Sequence, residues 1–211
     1  MMIDLPESTR IHRRIPKEKF YQRLVLTAAL KKKFVSDIDS IFIENSLTAE
    51  NLRLSKESII TEILLLKIML KTKEFDGKVL ETVARQNSHK LLFMLIYKDE
   101  LQIALFHNKL YSSSWIKAEC CAALTARGFS LDEIWNGFIE QIALYDERDG
   151  SLTGLSIDQR LARHEQIAKL EKQIYKAEIA ARNEKQPKKS FDLYLKCQKY
   201  KQELEDLKHG Q

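Results

Sequence analysis

Turn-forming and cross-linking residues are scarce in this chain of 211 residues, which has six glycines, three prolines and three cysteines. So little glycine and proline argues for long regular elements rather than many tight turns. Two cysteines are adjacent (Cys120, Cys121) and Cys197 lies in a separate helical segment, so there is no disulfide framework. The expectation is a reduced, cytoplasmic protein. Long apolar runs are missing as well: the most apolar stretch, Ile59–Leu70, is broken by Glu62 and Lys67. It falls short of the roughly 20 residues a bilayer-spanning helix needs, and no membrane contact is expected. The opening MMIDLPESTR has an early acid and no apolar core, so it does not read as a secretory signal. No glycine-rich phosphate loop or nucleophile elbow occurs. The five histidines (12, 89, 107, 164, 209) form no ligand-spaced set with cysteine. No cofactor and no metal is therefore expected, and no reaction is written in the sequence.

What is present supports a core. Hydrophobic residues make up 44% and charged residues 31%, too apolar for a disordered chain and enough for one domain with an appendage. The net charge of +5 is unevenly spread. Residues 1–36 hold nine Lys/Arg against three Asp/Glu, residues 37–155 thirteen against eighteen, and residues 156–211 thirteen against nine. Both ends are basic and the middle is acidic, so polyanion contact is expected at the ends.

Residues 1–15 read as an extended basic lead. Pro16 stands at a helix start before KEKFYQRL, and Thr27 caps AALKKKFVSDIDSI, in which Leu30, Phe34, Ile38 and Ile41 share one helical face. IFIENSL reads as a short strand. Ser58 to Lys71 gives the strongest strand signal, apolar on both faces and therefore central. Asp76-Gly77 opens a helix with Val79, Leu80 and Val83 inward. KLLFMLIYKDELQIALFH reads as a hairpin turning at Lys98-Asp99-Glu100. LYSSSW follows as a loop and AECCAALTA as a small helix. Ser130 then caps LDEIWNGFIEQIALY, where Ile134, Phe138, Ile142 and Tyr145 face inward. The reading for residues 16–150 is an α+β core domain, a mostly antiparallel or mixed sheet flanked by helices.

Past the turn-rich DERDGSLTG, residues 151–211 carry two heptad seams. Ile167, Leu170, Ile174, Ala177 and Ala181 form one; Leu193, Cys197, Tyr200, Leu204 and Leu207 form the other. Pro187 in a polar break separates them, which predicts an antiparallel coiled-coil helical hairpin.

Glu62 is the most unusual residue, a carboxylate mid-strand on an apolar face; such groups are enriched at active sites, and the bland alternative is a carboxylate reaching solvent or a lysine. A metal-dependent nuclease needs an acid and then acid-x-Lys on a neighbouring strand, the acids holding the metal and the lysine orienting water. Lys67 follows Glu62 at an odd offset, which puts the two on opposite faces. Asp76-Gly77-Lys78 opens a helix, and Asp206-Leu207-Lys208 lies on the hairpin. The basic clusters offer phosphate contacts: Arg10, Arg13, Arg14, Lys17 and Lys19, then Lys31, Lys32 and Lys33. Lys185, Lys188 and Lys189 mark the hairpin tip, which with Leu193, Tyr200 and Leu204 reads as a partner-docking surface.

Six segments in succession resemble the prokaryotic family "domain of unknown function 4391": LPESTRIHRRIPKEKFYQRL, LKKKFVSDIDSIFIENSLTAENLRL, TEILLLKIMLK, DGKVLETVARQNSHKLLFML, GFSLDEIWNGFIEQIA and the terminal hairpin. The resemblance covers nearly the whole chain and supplies no catalytic residues. It implies a setting beside helicases and DNA methyltransferases in restriction-like, antiviral gene clusters. The expected function is a non-catalytic accessory subunit that docks on a helicase or methyltransferase and touches nucleic acid through its basic clusters. The coil offers a route to homo-oligomers. The alternatives are an atypical or degenerate metal-dependent nuclease with Glu62 in the site, and an RNA-binding module using the hairpin.

Overall fold

The computed structural model describes residues 4–117, 124–145 and 154–209. The chain divides into two compact units, residues 1–146 and 147–211.

The first unit is built on a seven-stranded mixed sheet. Its strands are β1 (Arg10–Ile15), β2 (Ile38–Leu47), β3 (Ile63–Leu70), β4 (Lys90–Tyr97), β5 (Glu100–His107), β6 (Lys109–Ser112) and β7 (Ile116–Lys117). The order is β1-β2-β3-β4-β5-β6, with β7 on β5. Among the described strands only the pair β3 and β4 is parallel. They are joined by a crossover through helix α4 (Lys78–Arg85), as a parallel pair requires. Helices α1 (Lys17–Arg23) and α2 (Ala28–Asp37) connect β1 to β2, α3 (Ala49–Leu52) follows β2, and α5 (Leu131–Ala143) closes the unit.

Strand β3 is central and covered on both sides, as its two apolar faces demand. One face carries Leu66, Ile68 and Leu70 with Ile41, Ile43, Leu91, Phe93 and Leu95, packed beneath Phe34 of α2 and Val79, Leu80 and Val83 of α4. The alternate residues Ile63, Leu65, Leu92, Ile103 and Leu105 point the other way and are equally buried. Helix α5 lies on that second face: Lys90, of the same parity as Leu92, sits over the Trp135 ring. Ile134, Trp135, Phe138, Ile139 and Ile142 give α5 a continuous buried stripe.

Several local readings are revised. Residues 10–15 are no lead: they form the edge strand β1, paired antiparallel with β2. Its register breaks between Arg10 and Arg13, where His12 adopts a left-handed φ of 48°, and that bulge hides the alternation in RIHRRI. The approach to it is pinned by Thr9, buried, whose hydroxyl donates to the Pro6 carbonyl and accepts from Asn45 Nδ2 at 2.8 Å. Helix α2 stops at Asp37, so Ile38 and Ile41 belong to β2 rather than to a helical face. Sheet pairing with Leu70 and Ile68 overrides the 3.6-residue spacing there.

Strand β3 starts at Ile63, not Ser58. The segment before it is held by α5 instead: Asp132 accepts from the Ile59 and Ile60 amides, and Ser58 Oγ from the Leu131 amide. LYSSSW is not a loop but supplies most of β6 and the approach to β7. The turn into β6 is made by Asn108 at φ 39°. The reading of residues 118–126 as a helix lies mostly outside the described residues; Thr125 makes a parallel bridge to Asp4. Tyr145 lies past the end of α5 and is exposed. The DERDGSLTG segment falls largely outside the described residues.

The second unit consists of α6 (Ile157–Asn183) and α7 (Pro187–His209). They run antiparallel: Glu178 bonds Lys201 at 2.8 Å, and Glu171, seven residues back, meets Lys208, seven residues on, at 3.2 Å. All ten seam residues read from the sequence are buried or half-buried, Ala177 and Cys197 most completely. Pro187 takes the first helical position, where its missing N–H costs nothing. A capping box starts α6: the Gln159 amide donates to Ser156 Oγ and the Gln159 side chain accepts from the Ser156 amide. Ser156→Ala is expected to cost about 1 kcal/mol, measured as a lower urea midpoint for the hairpin's helical signal.

Candidate functional site

A groove of about 670 Å³ opens on the face of the sheet that α1, α2 and α4 cover. It exists because that helical layer is incomplete: α1 has only seven residues and α4 ends at Arg85. Between them the sheet shows through, and Ile43 of β2, Leu64 and Leu66 of β3 and Leu91 of β4 make an aliphatic floor. One wall is cationic, with Arg13 from β1 and Lys19 from α1. The opposite wall is the turn Gln86–His89 after α4. Gln86 fixes that wall to the α1–α2 connection, its amide accepting from the Val25 N–H at 2.7 Å and donating to the Val25 carbonyl at 3.1 Å.

Glu62 stands at the end of this groove, just before β3 rather than within it. It is half-buried and already served: Ser46 Oγ donates to Oε1, and His89 Nδ1 lies 3.3 Å from Oε2. The backbone N–H of Lys90 also caps its carbonyl. So a serine and a histidine, not a lysine, are the side chains beside the carboxylate that the sequence singles out.

The basic residues divide by geometry. Arg10, Arg13, Arg14 and Lys19 are exposed; Arg10 pairs with Glu7 at 3.2 Å. The three arginines sit on an edge strand, where charge and a bulge also deter pairing with another sheet. Lys17 turns inward and donates to the Ile38 carbonyl; burial, and then the Lys71 charge, push its ammonium below the usual lysine range. Lys31 and Lys32 are exposed on α2. Lys33 is committed to Asp76 at 2.6 Å, a hydrogen bond that raises the lysine and lowers the carboxyl. The N-terminal cations therefore do not form one uniform patch.

A second cluster lies on the other face of β2 and β3, where sequence reasoning placed nothing. Glu44, whose side chain is 14% exposed, accepts from His12 Nδ1 at 2.8 Å and meets Lys67 Nζ at 3.3 Å. The His12 ring stacks on Phe42 at 5.7 Å and 15°, and Lys67 lies 5.9 Å from the same ring. Burial alone would raise the Glu44 carboxyl, but the His12 hydrogen bond and Lys67 outweigh it and hold the group below the ordinary range. The cluster clarifies the nuclease geometry. Lys67 does have an acid on the neighbouring strand, Glu44, while Glu62 is on the opposite face as the odd offset requires. Leu65, 1% exposed, occupies the position two residues before Lys67 where the second metal-holding carboxylate would stand. Among the described residues no group of three or more His, Cys, Asp or Glu could hold a metal ion.

On the hairpin, Leu193, Tyr200 and Leu204 are half-buried in the seam and face α6 rather than outward. Lys185, Lys188 and Lys189 are exposed at the closed end. The outer faces beside that end carry apolar side chains that no pattern search for a seam would flag. Ile179 is two residues past seam residue Ala177, and Leu195 two past Leu193, each about 200° round its helix from the seam. Ile179 and Phe191 each lie four residues from the end of their helix, and Tyr175 and Leu195 eight. All four are exposed.

No curated protein and no solved structure matches the chain, and no helix among the described residues is long and apolar enough to cross a membrane. A family does match, described as "Domain of unknown function (DUF4391)", over residues 3–204. The match runs from the approach to β1 to Leu204 in the seam of α7, and the chain accordingly belongs to the DUF4391 family.

Proposed function

We propose that the chain is a cytosolic docking subunit that engages a protein partner through the closed end of its hairpin and adds nucleic-acid contacts from its exposed cations. The observation that supports this is the pair of outward apolar flanks, Tyr175/Ile179 and Phe191/Leu195, beside Lys185, Lys188 and Lys189. The seam has already satisfied the hairpin's own need for burial, so four further large apolar side chains in water at one end are a surface shaped for another molecule. The partner class, a helicase or DNA methyltransferase of a restriction-like, antiviral system, is the one the family resemblance implies.

The test is affinity capture from the native host with and without nuclease treatment, comparing wild type with Ile179→Asp/Phe191→Asp. A stoichiometric, nuclease-resistant helicase or methyltransferase that disappears from the variant is the expected result, with helical content unchanged because both positions face away from the seam. Recovery of nucleic acid with no stoichiometric protein would overturn the reading.

A further inference from the structure

We infer that the groove on the sheet is a second, separate docking site, which takes an acidic peptide segment of another protein carrying one large apolar anchor residue. Its chemistry selects that occupant. The floor is aliphatic: Leu66 and Leu91 are already buried, and Leu64, which the short α1 leaves half-buried, gains from a side chain that excludes water. The wall above it holds Arg13 and Lys19, neither in an ion pair with another described residue. Among the described lining residues the one carboxylate, Glu62, accepts from Ser46 and is outnumbered by Arg13, Arg14 and Lys19, so the net charge facing a ligand is positive. Acids flanking an apolar anchor complement both parts at once.

A nucleic-acid strand matches this surface less well. Single-strand sites pair their cations with aromatic platforms on which bases stack. Among the described residues the rings lining this groove are Phe20, packed against Phe34 at 5.8 Å, and His89, 3.3 Å from Glu62. A phosphate backbone would meet Arg13 and Lys19 and leave the half-buried Leu64 uncovered. The groove is also distinct from the hairpin tip: every residue that forms it belongs to the first unit, so the two sites can be tested separately.

The experiment is selection of a random dodecapeptide phage library on the full-length protein, followed by binding of the most enriched peptide, made synthetically, to wild type and variants. Enriched sequences should place Asp or Glu on both sides of one Leu, Ile, Phe or Trp. Arg13→Glu/Lys19→Glu and, separately, Leu64→Gln should each weaken the synthetic peptide about tenfold or more, roughly the effect of one lost anchoring contact. The first variant changes only exposed residues, so it keeps the test valid if the floor substitution disturbs folding. Ile179→Asp/Phe191→Asp should leave peptide binding unchanged, which separates this site from the hairpin reading. Failure to enrich any peptide, enrichment without acids, binding by both groove variants as tight as wild type, or displacement of the peptide by oligo(dT) would each overturn the proposal. So would self-association in sedimentation that the charge reversal abolishes, because the occupant would then be a second copy.

Discussion

Trp135→Ala is expected to remove about 3–5 kcal/mol of stability, the range for deleting a fully buried aromatic side chain, and to lower the thermal midpoint by many degrees. Trp135 is 2% exposed and is the largest side chain in the stripe that seats α5 on the sheet. Its indole Nε1, however, is buried with no acceptor among the described residues. An orphan donor of this kind costs about 1–3 kcal/mol, which offsets part of what the ring gains by burial. Trp135→Phe should therefore destabilise by far less than the lost ring volume suggests. Equal losses for Ala and Phe in urea unfolding would show that the N–H is satisfied after all and that the whole indole is needed.

Glu44→Ala should cost about 1–3 kcal/mol, the penalty for stripping a half-buried hydrogen-bonded network of its acceptor. The network ties β1 to β3 across β2, so the loss should appear first as faster amide exchange in β1. It also carries a pH signature. The Glu44 carboxyl is held below its ordinary value in the folded chain. Its contribution is therefore complete above the unfolded carboxylate pKa, about 4.3, and disappears as pH falls through the lower folded value. Wild type should lose stability on acidification through that window more steeply than Glu44→Gln, which has no carboxyl to protonate. Parallel curves for the two would sink the account. Asp76, Glu133 and Glu178 are lowered too, each first by a lysine hydrogen bond, which is why the difference between the two curves, not either alone, is the readout.

These two sites also mark how far the sequence could be read. The hairpin seam and the central strand were legible because each writes its burial into local spacing: heptads in α6 and α7, apolar residues on both faces of β3. Strand β1 was not legible. Its arginines look like a solvated tail, and the bulge at His12 breaks the period-two pattern that marks a strand. Glu44 and Lys67 are 23 residues apart, and their meeting depends on the β2–β3 register, which itself shifts between Ile43 and Asn45. No one-dimensional pattern carries such a register. Glu62 stands out in the sequence as a carboxylate among apolar residues, but its neighbours Ser46 and His89 come from the end of β2 and the turn before β4, again brought together only by sheet pairing. The groove was illegible for a similar reason, since it is a gap in a helical layer and a sequence records only what is there.

The paired ties between α6 and α7 recur at seven-residue steps, Glu178 with Lys201 and then Glu171 with Lys208. That periodicity makes the hairpin's length adjustable in whole heptads. Adding seven residues to each helix at matching positions would lengthen the hairpin by about 10 Å, at 1.5 Å per residue, while every side chain kept its place relative to the seam. Relatives could thus alter the length of the hairpin in fixed increments without redesigning its tip, whereas a single-helix insertion would break the register of the whole seam.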